Sequence, residues 1–428
     1  MLSLRRFAPR LVASVLSATL AAGTVTVTTA AAPTATAADL PFTVPQLREP
    51  LTGQTTGAAP KQYPGAPVPQ PFTTHYLVGF QSDISSYDYG VYWEVVRLYD
   101  YIKAQRADIR QDNLNRAIAI NNAAANDPAL IRASQIDASA DTEGVMKAVS
   151  EALGARFGEA FRAALADHRL PKTEYLLGNG YAARAGGLAS STFPEKYYFD
   201  EARPYEAAPQ AIRRYNDGVH DFYLSSPSFP SGHTNQAAWV TTLLAYMLPE
   251  VGPQLIYRGS QAGKHRVVLG VHSPLDVISG RMTGQAAAAD RLNDPRMRDA
   301  LNQAAAEIRA EVEWRTGMSI AQLVATDTPY VTTQQAVDGY MPLLSYGFTP
   351  VYHADAAMVV PQAAPVLLSA AHPELNWDQR AELLRLTAEP AGNPLDWQGP
   401  GGSWQRLNLA RAMAAQVTVS ADGSLTLR

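Results

Sequence analysis

Three short segments between residues 196 and 276 carry the side chains best suited to chemistry. The first runs from Lys196 to Arg203-Pro204. The second is Pro227-Ser228-Phe229-Pro230-Ser231-Gly232-His233-Thr234. The third is Lys264-His265-Arg266, followed after five residues by His272-Ser273-Pro274-Leu275-Asp276. Taken singly, each has an ordinary structural explanation. Lys196 and Arg203, seven apart, would share a helix face; Pro230-Ser231-Gly232 would start a helix; Ser273 and Asp276 have the form of a capping box. Together they describe an oxyanion site. Three fixed cations (Lys196, Arg203 and Arg266) exceed what one buried site tolerates without an anion. A helix starting near Ser231 points free N–H groups at whatever precedes it, and Gly232 lets the backbone approach closely. Two histidines, His233 and His272, then supply nucleophile and acid. Asp276 lies four residues after His272, near enough to hold one ring nitrogen and so determine which is free to attack.

The elements that must position these groups are mostly helical. Of 428 residues, 46% are apolar and 17% charged, enough for a buried core and unlike a disordered chain. The length allows two or three domains, or one large core with appendages. The absence of Cys excludes disulfides, thiolate zinc sites, iron–sulfur ligation and a cysteine nucleophile. A net charge of −4 gives no support for nucleic-acid binding. Apolar spacing predicts helices over residues 92–107 and 142–168, and a buried core helix over 237–248, too short to span a bilayer. Beyond Gly317 prolines recur and helices must be short. Asn376 to Thr387 is one, with Asn376 as N-cap and Gln379 three residues on. Residues 416–428 alternate around Asp422-Gly423, which predicts a hairpin.

The amino terminus reads as an address. Arg5, Arg6 and Arg10 precede the apolar run 11–23, and Ala35-Thr36-Ala37 offers a cleavage site, so 1–37 is expected to be a secretory signal. Its removal would take the net charge from −4 to −7. The expectation is an exported protein, extracellular or periplasmic, with no membrane span after cleavage. Residues 38–71 are rich in proline and read as an extended tether or surface wrap.

The order and spacing of the three segments resemble the type 2 phosphatidic acid phosphatase and vanadium haloperoxidase superfamily: K-x6-R-P at 196–204, P-S-G-H at 230–233, and R-x5-H-x3-D at 266–276. Residues 228–234 are also similar to the signature of secreted bacterial class A acid phosphatases. The resemblance covers roughly residues 90–300. It implies an all-α fold with a helical-bundle catalytic core within 72–317, leaving 318–428, with its short helices and hairpin, unassigned. It implies metal-free phosphoryl transfer without a cofactor. His272 attacks phosphorus to form a phosphohistidine; His233 protonates the leaving alkoxide and then takes a proton from water. Lys196, Arg203, Arg266 and the amides around Ser231 and Gly232 would stabilise the phosphoryl oxygens, and Asp276 would hold His272. One residue departs from the pattern: His265 stands where the family has Ser, and it either donates an N–H to phosphate or turns aside.

The expected substrate is a small soluble phosphomonoester. Two alternatives remain. A vanadium-dependent haloperoxidase would bind vanadate with the same side chains and His272 as ligand. A non-catalytic protein would bind phosphate or polyanions at its surface. The other histidines (75, 168, 220, 353 and 372) lack metal-ligand spacing and read as structural, with His220-Asp221 nearest to the motifs.

Overall fold

In the computed structural model, residues 59–77, 93–178, 183–186, 192–223 and 226–427 are described. The signal-like segment 1–37 and the first part of the proline-rich stretch lie outside them. The most buried helix among the described residues is largely apolar or small, with Asn235 and Gln236 buried in its first turns. Helix α5 (Gly232–Met247) exposes almost nothing, as a largely apolar core helix does. The chain then turns through α6 (Gly252–Val268) and α7 (Pro274–Asn293), and α5 packs against both. Two glycines one turn apart let α7 approach α5 closely. A Cβ on Gly280 would lie 2.5 Å from the Ser231 carbonyl oxygen, and one on Gly284 2.6 Å from that of Asn235. Between them Asn235 donates to Thr283 Oγ1 at 2.9 Å.

Around this trio stand α1 (Ala107–Ala123), α2 (Pro128–Ala138), α3 (Ala155–Ala166), α4 (Phe193–Phe199) and α8 (Pro295–Thr316). The fold is all-α, and the two-stranded hairpin is the only sheet among the described residues. Helix α1 does more than cover the core. Its buried Asn113 donates to Ser273 Oγ at 2.7 Å and accepts from the Leu275 amide at 2.9 Å, bracing the start of α7. Asn121 donates to the Val268 carbonyl at 2.8 Å at the end of α6.

The expected helix over 142–168 is interrupted. Helical segments Ala140–Glu143, Val145–Val149, Ser150–Leu153 and α3 are separated at Gly144 and Gly154, whose φ values of 102° and 100° end a right-handed helix. The side chains that suggested it (Val145, Met146, Val149, Leu153, Phe157 and Phe161) are all buried. The helix expected over 92–107 is likewise divided into Trp93–Val96 and Leu98–Gln105; Tyr92 lies outside the described residues.

The described part of the proline-rich stretch wraps the body. The Lys61 amide donates to the Asp167 carbonyl at 3.0 Å. Arg169 donates to the carbonyls of Lys61 and Pro67, both at 2.6 Å, while pairing with Glu311.

No division falls at residue 317: 45–428 form one unit, and the carboxyl-terminal quarter shares the main core. Helices α9 (Thr333–Ser345) and α11 (Leu409–Ala414) lie on α6. The buried Arg281 of α7 donates to the Gln405 carbonyl at 2.8 Å. Helix α10 (Trp377–Leu386) has Asn376 as N-cap with its Gln379 capping box, and β1 (Val417–Val419) pairs antiparallel with β2 (Leu425–Leu427). Among the described residues no helix is long and apolar enough to cross a membrane.

Candidate active site

The three segments converge where α5 and α7 begin. Lys196 reaches the site from α4, Arg203 from the extended residue before a short helix at Pro204–Ala207, and Arg266 from the last turn of α6. All three cations are buried. Lys196 Nζ donates to the carbonyls of Pro227 at 2.8 Å and Ser228 at 3.0 Å. Arg203 donates from Nε to the Ser226 carbonyl at 2.7 Å, from Nη2 to Ser226 Oγ at 2.8 Å, and from Nη1 to the Val271 carbonyl at 2.9 Å. Neutral acceptors therefore orient both side chains without cancelling their charge.

His272 and Asp276 are 1% and 2% exposed. The capping box that starts α7 also orients the histidine. Asp276 Oδ2 accepts from the Ser273 amide at 2.8 Å, from the Ser228 hydroxyl, and from His272 Nδ1 at 3.3 Å. With the proton on Nδ1 the lone pair is on Nε2, and there Arg203 Nη1 approaches to 3.3 Å. Burial, reinforced by Arg203, Lys196 and Arg266, holds the His272 pKa well below the usual histidine range, so the ring is neutral. Burial pushes the Asp276 carboxyl up, against the hydrogen bonds from Ser228 and Ser273.

His233, on the first turn of α5, directs Nε2 to the Ala138 carbonyl at 3.2 Å. Its pKa too lies well below the ordinary value, through burial first and then the Arg266 charge, with the Ala138 bond opposing. Burial, Arg203 and Arg266 lower Lys196 to about 7, with Asp276 opposing. Burial first, and then the clustered cations, depress two histidines and a lysine together, a setting that an entering oxyanion would relieve.

Two of the phosphate-binding candidates, Ser231 and His265, have other partners in the structure. The Ser231 amide donates to the Asp276 carbonyl at 2.9 Å, and its hydroxyl accepts from the Thr234 amide at 3.3 Å and Oγ1 at 2.9 Å. Ser231 thus joins α5 to α7 and caps α5. His265 turns aside: its Nδ1 donates to Asp137 Oδ2 at 2.5 Å. Arg258, seven residues earlier on the same face of α6, grips the same carboxylate with Nη1 at 2.9 Å and Nη2 at 2.5 Å. Burial alone would raise Asp137; the bonds from His265 and Arg258 outweigh it and lower the carboxyl to about 2.

Sequence reasoning missed Ser228, Ser226, Asn113 and Asp137. Ser228 lay inside the second motif without an assigned role. For Asp137 the one signal was indirect, since Arg258 and His265 seven apart on a buried helix face require an acid opposite. His220 pairs with Asp217 at 2.7 Å on an exposed loop rather than with Asp221. Among the described residues no three His, Asp or Glu side chains converge as metal ligands.

Residues 175–293 match the model of the PAP2 superfamily, a narrower span than 90–300 but one containing all three motifs and the whole of α5 to α7. The chain is 31% identical over 149 residues to a non-specific acid phosphatase of Providencia stuartii, covering 35% of this chain and 58% of that protein. It is 28% identical over 148 residues to non-specific acid phosphatases of Salmonella typhi and Salmonella typhimurium, covering 35% of this chain and 54% of each. The matches thus span little more than half the length of these curated relatives. Residues 175–293 are a PAP2 superfamily domain, set within a larger helical body.

Proposed function

We propose that the protein is an exported phosphoric monoester hydrolase that works through a phosphohistidine, without a metal. The observation that carries the reading is the setting of His272: Nδ1 on Asp276, Nε2 turned to the Arg203 guanidinium, and Lys196 and Arg266 near enough to depress the ring. Nε2 attacks phosphorus in line while Nδ1–H stays on Asp276, so the charge that develops on the imidazole meets a carboxylate. Arg203, Lys196, Arg266 and the amides opening α5 hold the equatorial oxygens. His233 gives a proton to the departing alkoxide as the P–O bond breaks. It takes one back from the water that then cleaves the P–N bond. Because His233 is neutral in the free site, its acid form is assembled only once an anion is bound beside it. The acid phosphatases named above support the substrate class, and the amino-terminal arginines, apolar run and Ala-x-Ala support export.

The test is turnover of a chromogenic phosphomonoester in chelator, with rapid quenching of a labelled activated ester. The His272→Ala variant should lose both turnover and covalent label. The His233→Ala variant should still take up label from a good leaving group. Label kept by the His272 variant would reverse the two roles, and activity lost to chelator and restored by a divalent ion would overturn the metal-free reading. Halogenation with vanadate, peroxide and bromide, with no phosphoester turnover, would assign the site to a haloperoxidase instead.

A further inference from the structure

His233 and the motif-breaking His265 are anchored on consecutive residues of one helix end. His265 Nδ1 donates to Asp137 Oδ2, and His233 Nε2 donates to the carbonyl of Ala138, the last residue of α2. A carbonyl there has no intrahelical donor and lies at the negative end of the helix dipole, so it takes an imidazole N–H and favours a charged ring. Residues 137 and 138 are held in turn by the bidentate Arg258 grip on Asp137, made across 121 residues of chain. Burial does not require that ion pair, because apolar side chains of similar volume would fill the same space without desolvating two charges. A small enclosed space lies between His233 and α2, lined in part by Asp137, Ala140, Val149, Gln236 and Ala262.

We propose that Asp137 is a positioning residue for proton transfer by His233. Clamped between Arg258 and His265, it fixes the Ala138 carbonyl, which keeps one proton of His233 on Nε2. The proton passed to the leaving oxygen is therefore the one on Nδ1. As the P–O bond breaks, the imidazolium gives up its Nδ1 proton and becomes the neutral Nε2–H form. In the second step Nδ1 takes a proton from the water that adds to phosphorus, and the ring returns to its starting state. On this view, His265 in place of the family's Ser supplies a second clamp on the carboxylate that sets the acid.

The inference rests on the phosphatase reading, and its test separates the two. kcat/KM, which reports steps only through leaving-group departure, is compared for an alkyl phosphate and a dinitrophenyl phosphate. The full chain is used, as wild type, as Asp137→Asn, and as Asp137→Asn with Arg258→Met, which leaves no unpaired buried charge. Both variants should lose at least about tenfold on the alkyl ester and less than about threefold on the activated one, which needs little protonation. Equal losses on both esters would mean that Asp137 merely supports the fold, and would overturn the proposal. Nitrogen NMR of histidine-labelled protein, with the His233 signal identified by its loss in His233→Gln, reads the tautomer without turnover. Wild type should show Nε2–H, and the variants a mixture. An Nδ1–H ring in wild type, or an unchanged tautomer in the variants, would refute the positioning role. Wild type that hydrolyses neither ester would sink the phosphatase reading, while the NMR result still decides the assignment to Asp137.

Discussion

Asp276→Asn isolates the charge behind the proposed nucleophile, His272. The amide keeps the shape of the side chain and one oxygen, so the Ser273 amide, the Ser228 hydroxyl and His272 Nδ1 still meet an acceptor at the start of α7. What disappears is the negative charge 3.3 Å from a ring that, on the proposed mechanism, becomes cationic as its bond to phosphorus forms. At an effective dielectric constant of about 20, that separation gives about 5 kcal/mol for a full charge, and about 2.5 kcal/mol if half has developed at the transition state. His272 is neutral before reaction, so the ground state loses little and most of the difference enters the barrier. The expected outcome is a fall in kcat/KM of about 70-fold, by the conversion of about 1.4 kcal/mol per factor of ten. The assay is kcat/KM for an aryl phosphomonoester, with a thermal melt in parallel to establish that the variant is folded. A fall smaller than about fivefold in a folded variant would refute the argument, because the carboxylate would then not face a charging imidazole.

Three further outcomes follow from the same geometry. Lys196 is lowered to about 7 by burial and by Arg203 and Arg266, so its ammonium is present below that pH and lost above it. Competitive inhibition by inorganic phosphate, corrected for the ion's own titration, should weaken as pH rises through about 7, whereas Lys196→Arg should flatten the profile; a flat wild-type profile would contradict this. For folding the sign is opposite: the unfolded chain keeps the proton up to the ordinary lysine range, so this group makes the protein more stable as pH rises above about 7. Gly280→Ala would place a Cβ 2.5 Å from the Ser231 carbonyl oxygen and force α5 and α7 apart. That should cost about 1–3 kcal/mol in denaturant unfolding and lower kcat; a variant equal to wild type in both would show that the helices can separate without consequence.

The site was legible where its chemistry is local. Ser273, Pro274 and Asp276 specify the start of α7 by themselves, and the carboxylate that caps the helix is the one that holds His272. Gly232 followed by an apolar stretch specifies α5 in the same way. What stayed hidden depends on contacts between distant parts of the chain. The Ser231 amide looked free because its acceptor, the Asp276 carbonyl, lies 45 residues later. For His265 the choice between a phosphate contact and turning aside stayed open because Asp137 is 128 residues away. The break at Gly154 shows a different limit. Apolar spacing reported burial correctly on both sides of it, but spacing does not distinguish a continuous helix from two helices whose buried faces point the same way.

The same distance between partners separates functional from structural cations in the folded chain. Arg169 and Arg258 are as buried as Arg203, but each is gripped by a carboxylate, Glu311 and Asp137 respectively, and its charge is spent inside the protein. Lys196 and Arg203 are instead oriented by the carbonyls of Pro227, Ser228, Ser226 and Val271, which align donors while leaving the charge nearly whole. The carboxylate whose charge acts on both, Asp276, is already committed to His272, Ser228 and Ser273. Two buried cations whose affinity for protons is lowered by burial, that of Lys196 further by Arg203, are unfavourable to the empty fold. The arrangement becomes favourable when an anion enters, and more so as a phosphoryl group spreads its charge over three equatorial oxygens. Charge held ready by neutral acceptors is thus the feature that fits this helix junction to the proposed phosphoryl transfer.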